Sequence, residues 1–146
     1  MFDQNTISIR RFCAQGIVWT GTAPLRDFPR LLTASLSPDA ALSYRVEGRR
    51  DTQGRDCLQV RIDVQITLEC QACLQPALHR MQVDRVLYPV VDGRQMEALE
   101  DEFRLFGREE LEAIELPDSV DLVELVEDEF LLALPLVPRH EEDDCP

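Results

Sequence analysis

Leu58-Gln59-Val60-Arg61-Ile62-Asp63-Val64-Gln65-Ile66-Thr67-Leu68-Glu69-Cys70-Gln71-Ala72-Cys73-Leu74-Gln75-Pro76 is the stretch that decides how this chain folds. From Leu58 to Cys70 every even position is apolar and every odd position from Gln59 to Glu69 is polar. That is the period of a strand with one buried face and one wet face. At its end stands Cys70-Gln71-Ala72-Cys73, a C-x2-C pair, and Pro76 follows just before a second β-like run. Two thiols three positions apart in a tight turn can converge on one metal ion. Cys70 would also pack well as a small hydrophobe on the apolar face of its strand.

Working outward, Leu42, Tyr44 and Val46 alternate with Ser43, Arg45 and Glu47 ahead of a polar, glycine-bounded turn, Gly48 to Arg55. This predicts a hairpin with the long strand. On the other side, about Ala77 to Val91 reads as a third long strand, with Met81 and Val83 in odd phase and Val86, Tyr88 and Val90 in even phase. A flip of phase at Asp84-Arg85 predicts a β-bulge. Shorter strands are expected at Thr6 to Phe12 and Gly16 to Thr22, and a helix capped by Asp27 with Phe28, Leu31 and Leu32 on one face.

Beyond Asp92 periodicity is lost in an acidic connector, about 92–117, read as a loop or short helix with an added strand expected at Glu102 to Phe106. Pro117-Asp118-Ser119 then starts a helix with Leu122, Leu125, Val126, Phe130 and Ala133 at helical spacing, and Pro135 stops it. The expected architecture is α+β: an antiparallel β-sheet with a short N-terminal helix and a C-terminal acidic helix packed on it. Its 146 residues fit one domain, 1–146, with a tail at 139–146 expected to be disordered.

The net charge of -13 is unevenly spread. Residues 1–73 carry nine Arg and eight acids, whereas residues 74–146 carry six Arg and twenty acids. A polyanion such as RNA would be repelled by the second half and would need local basic spots on the first. The hairpin loop supplies such a spot in Arg49, Arg50 and Arg55, with Arg45 nearby, diluted by Asp51 and Asp56. All cations are Arg, the side chain suited to bidentate phosphate contact. Glu124, Glu127 and Asp128 on the last helix are the matching candidates for docking a basic partner, and a solvated helix face is the plainer reading of the same charges.

Five cysteines are an odd number, which suits reduced thiols or a metal site better than a disulfide framework. Cys70 and Cys73 with His140 and Cys145 make C-x2-C and H-x4-C, the ligand types of a tetrahedral zinc site assembled from two segments 66 residues apart. For that, Pro135 and Pro138 must turn the chain back toward the C-x2-C turn, and Glu141-Glu142-Asp143-Asp144 would draw the ion. Catalytic patterns are missing from the sequence: no glycine-rich phosphate loop and no G-x-S-x-G elbow appear. A thioredoxin-like role would need a helix beginning at the cysteine pair, and strands flank it instead. The start Met1-Phe2-Asp3-Gln4 lacks a signal-peptide pattern and no run is long enough to span a membrane, so a cytoplasmic location is expected.

Thr67 to Pro76, the run Leu122 to His140, and the late Cys145 together closely resemble the bacterial YceD family, the large ribosomal RNA subunit accumulation proteins. Two separated motifs in register carry the resemblance over most of the chain. It implies a non-enzymatic ribosome-biogenesis factor acting in accumulation or processing of large-subunit ribosomal RNA. The implied partners are the large-subunit ribosomal RNA precursor, a large-subunit ribosomal protein, or both; an acidic module that binds a basic ribosomal protein without touching RNA is the alternative. Family chains often have Arg before the second cysteine, where this chain has Ala72. They usually continue past the last cysteine into a more basic tail, so a native chain longer than Pro146 is expected.

Overall fold

Strand β4 (Asp56–Glu69) is the spine, pairing antiparallel with β3 (Ala41–Arg50) on one side and β5 (Pro76–Val90) on the other. The computed structural model describes residues 6–108, 111–140 and 145. Along the chain the elements are β1 (Thr6–Ser8), α1 (Ile9–Ala14), β2 (Val18–Pro24), two 3-10 turns (Leu25–Asp27 and Pro29–Leu31), β3, β4, β5, α2 (Gly93–Leu105), β6 (Leu111–Glu115), β7 (Ser119–Asp121) and α3 (Leu122–Ala133). The main sheet runs β2-β3-β4-β5-β6, with β6 parallel to β5, and β1 pairs with β7 in a small second sheet. The fold is α+β, with a short N-terminal helix and a C-terminal helix on a largely antiparallel sheet.

The inner face of the sheet carries the alternating residues read from the sequence. Leu42, Val46, Val60, Ile62, Val64, Ile66, Met81 and Val83 are buried there, under Phe12 of α1, Leu25, Phe28 and Leu31 of the turns, and Val126 and Phe130 of α3. α1 lies so close to β3 that a Cβ on Gly48 would meet the Phe12 carbonyl oxygen at 2.6 Å, so only glycine fits.

Four local expectations are corrected. No bulge interrupts β5: its register with β4 is continuous from Leu58↔Leu87 to Glu69↔Pro76. The even-phase residues face the other side of the sheet, where α2 covers them; Tyr88 packs on Phe103 with ring centroids 5.0 Å apart, beside Cys57. Near its end β5 is therefore buried on both faces, which erases alternation. Second, Glu102 to Leu105 belong to α2, and the added strand is Leu111–Glu115. Third, the helix expected at Asp27 is two 3-10 turns separated by Phe28, whose extended backbone (φ -102°, ψ 104°) sends its ring into the core.

The N-terminal helix instead occupies Ile9–Ala14, inside the segment read as a strand. Its first N–H groups are capped from far along the chain: Ile9 donates to the Asp118 carbonyl at 2.8 Å and Arg10 to the Asp118 carboxylate at 3.1 Å. Fourth, Ser119–Asp121 form β7, and α3 begins at Leu122 behind Asp121, whose side chain accepts from Val123 N–H at 2.8 Å. Of the tail 139–146 read as disordered, Arg139, His140 and Cys145 are among the described residues, while Pro146 and the acidic run 141–144, to which the expectation of ion attraction applies, lie outside them.

Candidate metal centre

The end of β4 and the segment after α3 meet at the C-x2-C turn. Cys70 N–H donates to the Gln75 carbonyl at 2.9 Å, and Leu74 N–H to the Cys70 carbonyl at 2.8 Å, closing a loop of six residues. Leu74, immediately after the second cysteine, has φ 63°, the one left-handed non-glycine among the described residues. That strain costs about 1 kcal/mol and lets the chain reverse behind the thiols. The prolines after α3 bring the C-terminal segment alongside, where Gln71 N–H donates to the Pro138 carbonyl at 2.8 Å.

This contact delivers His140 and Cys145 to the turn. The Sγ atoms of Cys70, Cys73 and Cys145 and one ring nitrogen of His140 all lie within 4.8 Å of one another. Cys70 Sγ is 3.8 Å from Cys145 Sγ, and His140 Nδ1 is 3.4 Å from Cys73 Sγ and 3.6 Å from Cys145 Sγ. A tetrahedral ion bonded to sulfur at about 2.3 Å and nitrogen at about 2.0 Å sets its ligands about 3.8 Å (S to S) and about 3.5 Å (S to N) apart. The three spacings match that figure. A disulfide would need sulfurs near 2.05 Å, and all five cysteines are free.

The imidazole is oriented for ligation. Nε2 of His140 lies 2.9 Å from the Pro76 carbonyl, which can only accept, so Nε2 carries the proton and Nδ1 turns its lone pair toward the thiols. Cys70 is fully buried, and burial raises its thiol. The backbone N–H groups of Cys73, His140 and Ala72, with the His140 ring, outweigh that and bring it down to about 5. Cys145 moves the other way, to about 11, because it hydrogen-bonds Cys73 and would ionise beside the other sulfurs. Cys70 thus favours the thiolate and Cys145 the thiol; a cation at the centre would let several thiolates coexist. These four residues could hold a metal ion.

The other sequence candidates are placed elsewhere. The β3–β4 turn lies at the far end of β4 from Cys70, about 45 Å away at about 3.3 Å per residue. There Arg50 pairs with Asp56 at 3.0 Å, and Arg55 with Asp51 at 2.8 Å and also with Glu102, while its guanidinium lies 5.5 Å from the Tyr88 ring centre; Arg45 stands apart from them, within β3 opposite Arg61, and pairs with Glu47. Arg49 is exposed. On α3, Glu127 is 2% exposed and turned inward. It accepts from Arg30 backbone N–H at 2.8 Å and Arg30 Nε at 3.1 Å, while Asp128 takes the same guanidinium at 2.7 Å. Only Glu124 and Asp128 of the acidic trio face solvent. Arg30 and the Pro76 and Pro138 carbonyls had no signal in the sequence, because each acts through a contact between distant segments.

Fold and cluster together define an α+β protein whose concentrated chemistry is a soft, thiol-rich ligand set at a strand turn, closed by its own C-terminal segment. The family model described as "Large ribosomal RNA subunit accumulation protein YceD" matches residues 58–146, which include all four residues of the cluster, and this chain belongs to the YceD family. A Haemophilus influenzae relative named Large ribosomal RNA subunit accumulation protein YceD is 32% identical over 100 residues, covering 65% of this chain and 51% of the relative. The chain thus spans about half the length of that curated relative. No solved structure matches it significantly. The family is named for accumulation of a ribosomal RNA and not for a reaction. No described helix is long and apolar enough to cross a membrane.

Proposed function

We propose that this chain is a non-enzymatic, cytoplasmic factor in large-subunit biogenesis, supporting accumulation or processing of large-subunit ribosomal RNA, and that Cys70, Cys73, His140 and Cys145 hold a structural zinc ion. The observation that carries the zinc reading is the spacing of the four ligand atoms together with the Nε2 contact to Pro76. With four protein ligands the ion has no open position, so its role is to pin the C-terminal segment to the β4–β5 turn. The ribosomal role is supported by the family and by the printed name of the relative.

A second reading concerns the partner. RNA contact through Arg45, Arg49, Arg50 and Arg55 would have to displace carboxylates from three of the four guanidinium groups. That observation favours a basic large-subunit ribosomal protein as the direct partner, met by Glu124, Asp128 and the acidic excess of the second half. Binding of the zinc-loaded chain to precursor ribosomal RNA and to purified basic ribosomal proteins, titrated against salt, separates the two. Saturable, salt-sensitive binding to the protein alone supports the acidic-module reading. Binding to RNA with a steep salt slope supports the arginine loop. Binding to neither refutes direct participation.

A further inference from the structure

The main sheet has two edges, and they are built differently. β6, at one edge, is five residues long and carries exposed Glu112 and Glu115. Charged side chains on a short edge strand are a common guard against strand addition. β2, at the other edge, runs seven residues, and Ile17 to Pro24 contains no charged residue in a chain where 29% of residues are charged. Ile17 and Val18 are each 38% exposed.

The hydrogen-bond phase of β2 follows from its ends. Gly48 N–H donates to the Ile17 carbonyl at 2.9 Å, and Leu25 N–H donates to the Ala40 carbonyl at 3.0 Å. Between them the register with β3 is unbroken from Val18↔Glu47 to Pro24↔Ala41. In an antiparallel ladder alternate residues bond to the same neighbour. The odd residues therefore bond to β3, and Val18, Thr20 and Thr22 aim their N–H and C=O groups out of the sheet. The strand is also braced from the inner side. Trp19 packs on Tyr44 with ring centroids 4.3 Å apart, and Tyr44 fills the space beside Gly21, where a Cβ would meet its hydroxyl at 2.6 Å. Thr20 Oγ1 donates to the Tyr44 carbonyl at 2.9 Å.

We propose that the β2 edge is a self-association surface, where a second copy of this chain adds its own β2 antiparallel and joins two five-stranded sheets into one. A twofold axis at Thr20 pairs Val18 with Thr22 of the second copy, Thr20 with Thr20, and Thr22 with Val18. Every outward N–H and C=O of the three residues is then bonded, and Pro24, which has no N–H, falls just outside the ladder. Charge selects a second copy over a basic partner: the edge offers a cation nothing to pair with, and the N-terminal half that contains it is close to neutral. The acidic β6 edges would stand about 43 Å apart across ten strands, several times the ~8 Å screening length at physiological salt. A single strand pair is a small interface, so the dimer forms at high protein concentration.

Sedimentation velocity of the zinc-loaded chain over a wide concentration range tests this. The parent should shift from monomer to dimer. The double variant Val18→Lys/Thr22→Lys sets two like-charged pairs opposite each other across the axis and should raise the dissociation constant about tenfold or more. A second measurement needs no variant: amide exchange at Val18, Thr20 and Thr22 should slow as concentration rises, while exchange at Trp19, Gly21 and Ala23 stays unchanged. A parent that remains monomeric at the highest concentration, a lysine variant that dimerises as tightly, or exchange at the three even residues independent of concentration overturns the proposal.

Discussion

Val126→Asp tests whether α3 is clamped to the sheet, on which delivery of His140 and Cys145 depends. Val126 is fully buried beneath Phe130 and the inner face. Losing its apolar burial costs about 2 kcal/mol. The new carboxyl has no partner there and would take up a proton rather than stay charged. At pH 7 protonating a group with an ordinary value near 3.9 costs about 4 kcal/mol, at about 1.4 kcal/mol for each pH unit between the two. The sum, about 6 kcal/mol, rivals the whole stability of a typical domain, about 5–15 kcal/mol.

The titration cost has a sign that can be read. The variant carboxyl has a raised value in the folded state, so its penalty is full above that value and shrinks as pH falls toward 3.9. Relative to the parent, Val126→Asp should lose about 6 kcal/mol at pH 7 and only about 2 kcal/mol near pH 4. Val126→Asn, which does not titrate, should show no such recovery. The parent is the necessary reference because Asp118, held below the ordinary carboxylate range by Arg10 N–H and the Ser8 hydroxyl, supplies stability that is itself lost as pH falls through its lowered value. Urea unfolding at several pH values measures the difference. A Val126→Asp protein within about 1 kcal/mol of the parent at pH 7 would refute the packing argument.

The purified, untagged chain should hold about one zinc per molecule by elemental analysis, released on thiol modification; His140→Ala should weaken binding and lower the melting temperature only when zinc is present. Metal-free protein that melts cooperatively and is indifferent to added zinc contradicts the site. Replacing Arg45, Arg49, Arg50 and Arg55 together with Gln should reduce RNA binding and flatten its salt dependence if the loop contacts phosphate, and a filter-binding curve unchanged from the parent eliminates the loop. Glu129 is 1% exposed, and burial raises its carboxyl despite Arg85. Folding therefore takes up a proton there: relative to Glu129→Gln, the parent should gain stability as pH falls through the raised value toward the ordinary one. Parallel stability-versus-pH curves for the two proteins would contradict that assignment.

The sheet was legible because its information is local. Alternation from Leu58 to Cys70, the polar turn at Gly48 to Arg55 and the helical spacing from Leu122 to Ala133 each follow from a periodicity that the backbone imposes on one element at a time. The four residues of the candidate centre were legible as residue types and spacings, since C-x2-C and H-x4-C restrict which metals they would suit. What only the tertiary structure decided depends on two distant segments meeting. α1 lies where a strand was expected, and beside its local Ser8 cap its first N–H groups are met by Asp118, 108 residues from Arg10. β5 changes phase because α2 covers its second face, so no bulge is needed. Glu127 looked like part of a solvated acidic face until Arg30 turned it inward. Even at the cluster, the sequence could name His140 but not its tautomer, which is set by a carbonyl 64 residues away. Periodicity reports which face of an element is apolar; which element covers that face, and which backbone group meets a buried charge, is settled only when the segments pack.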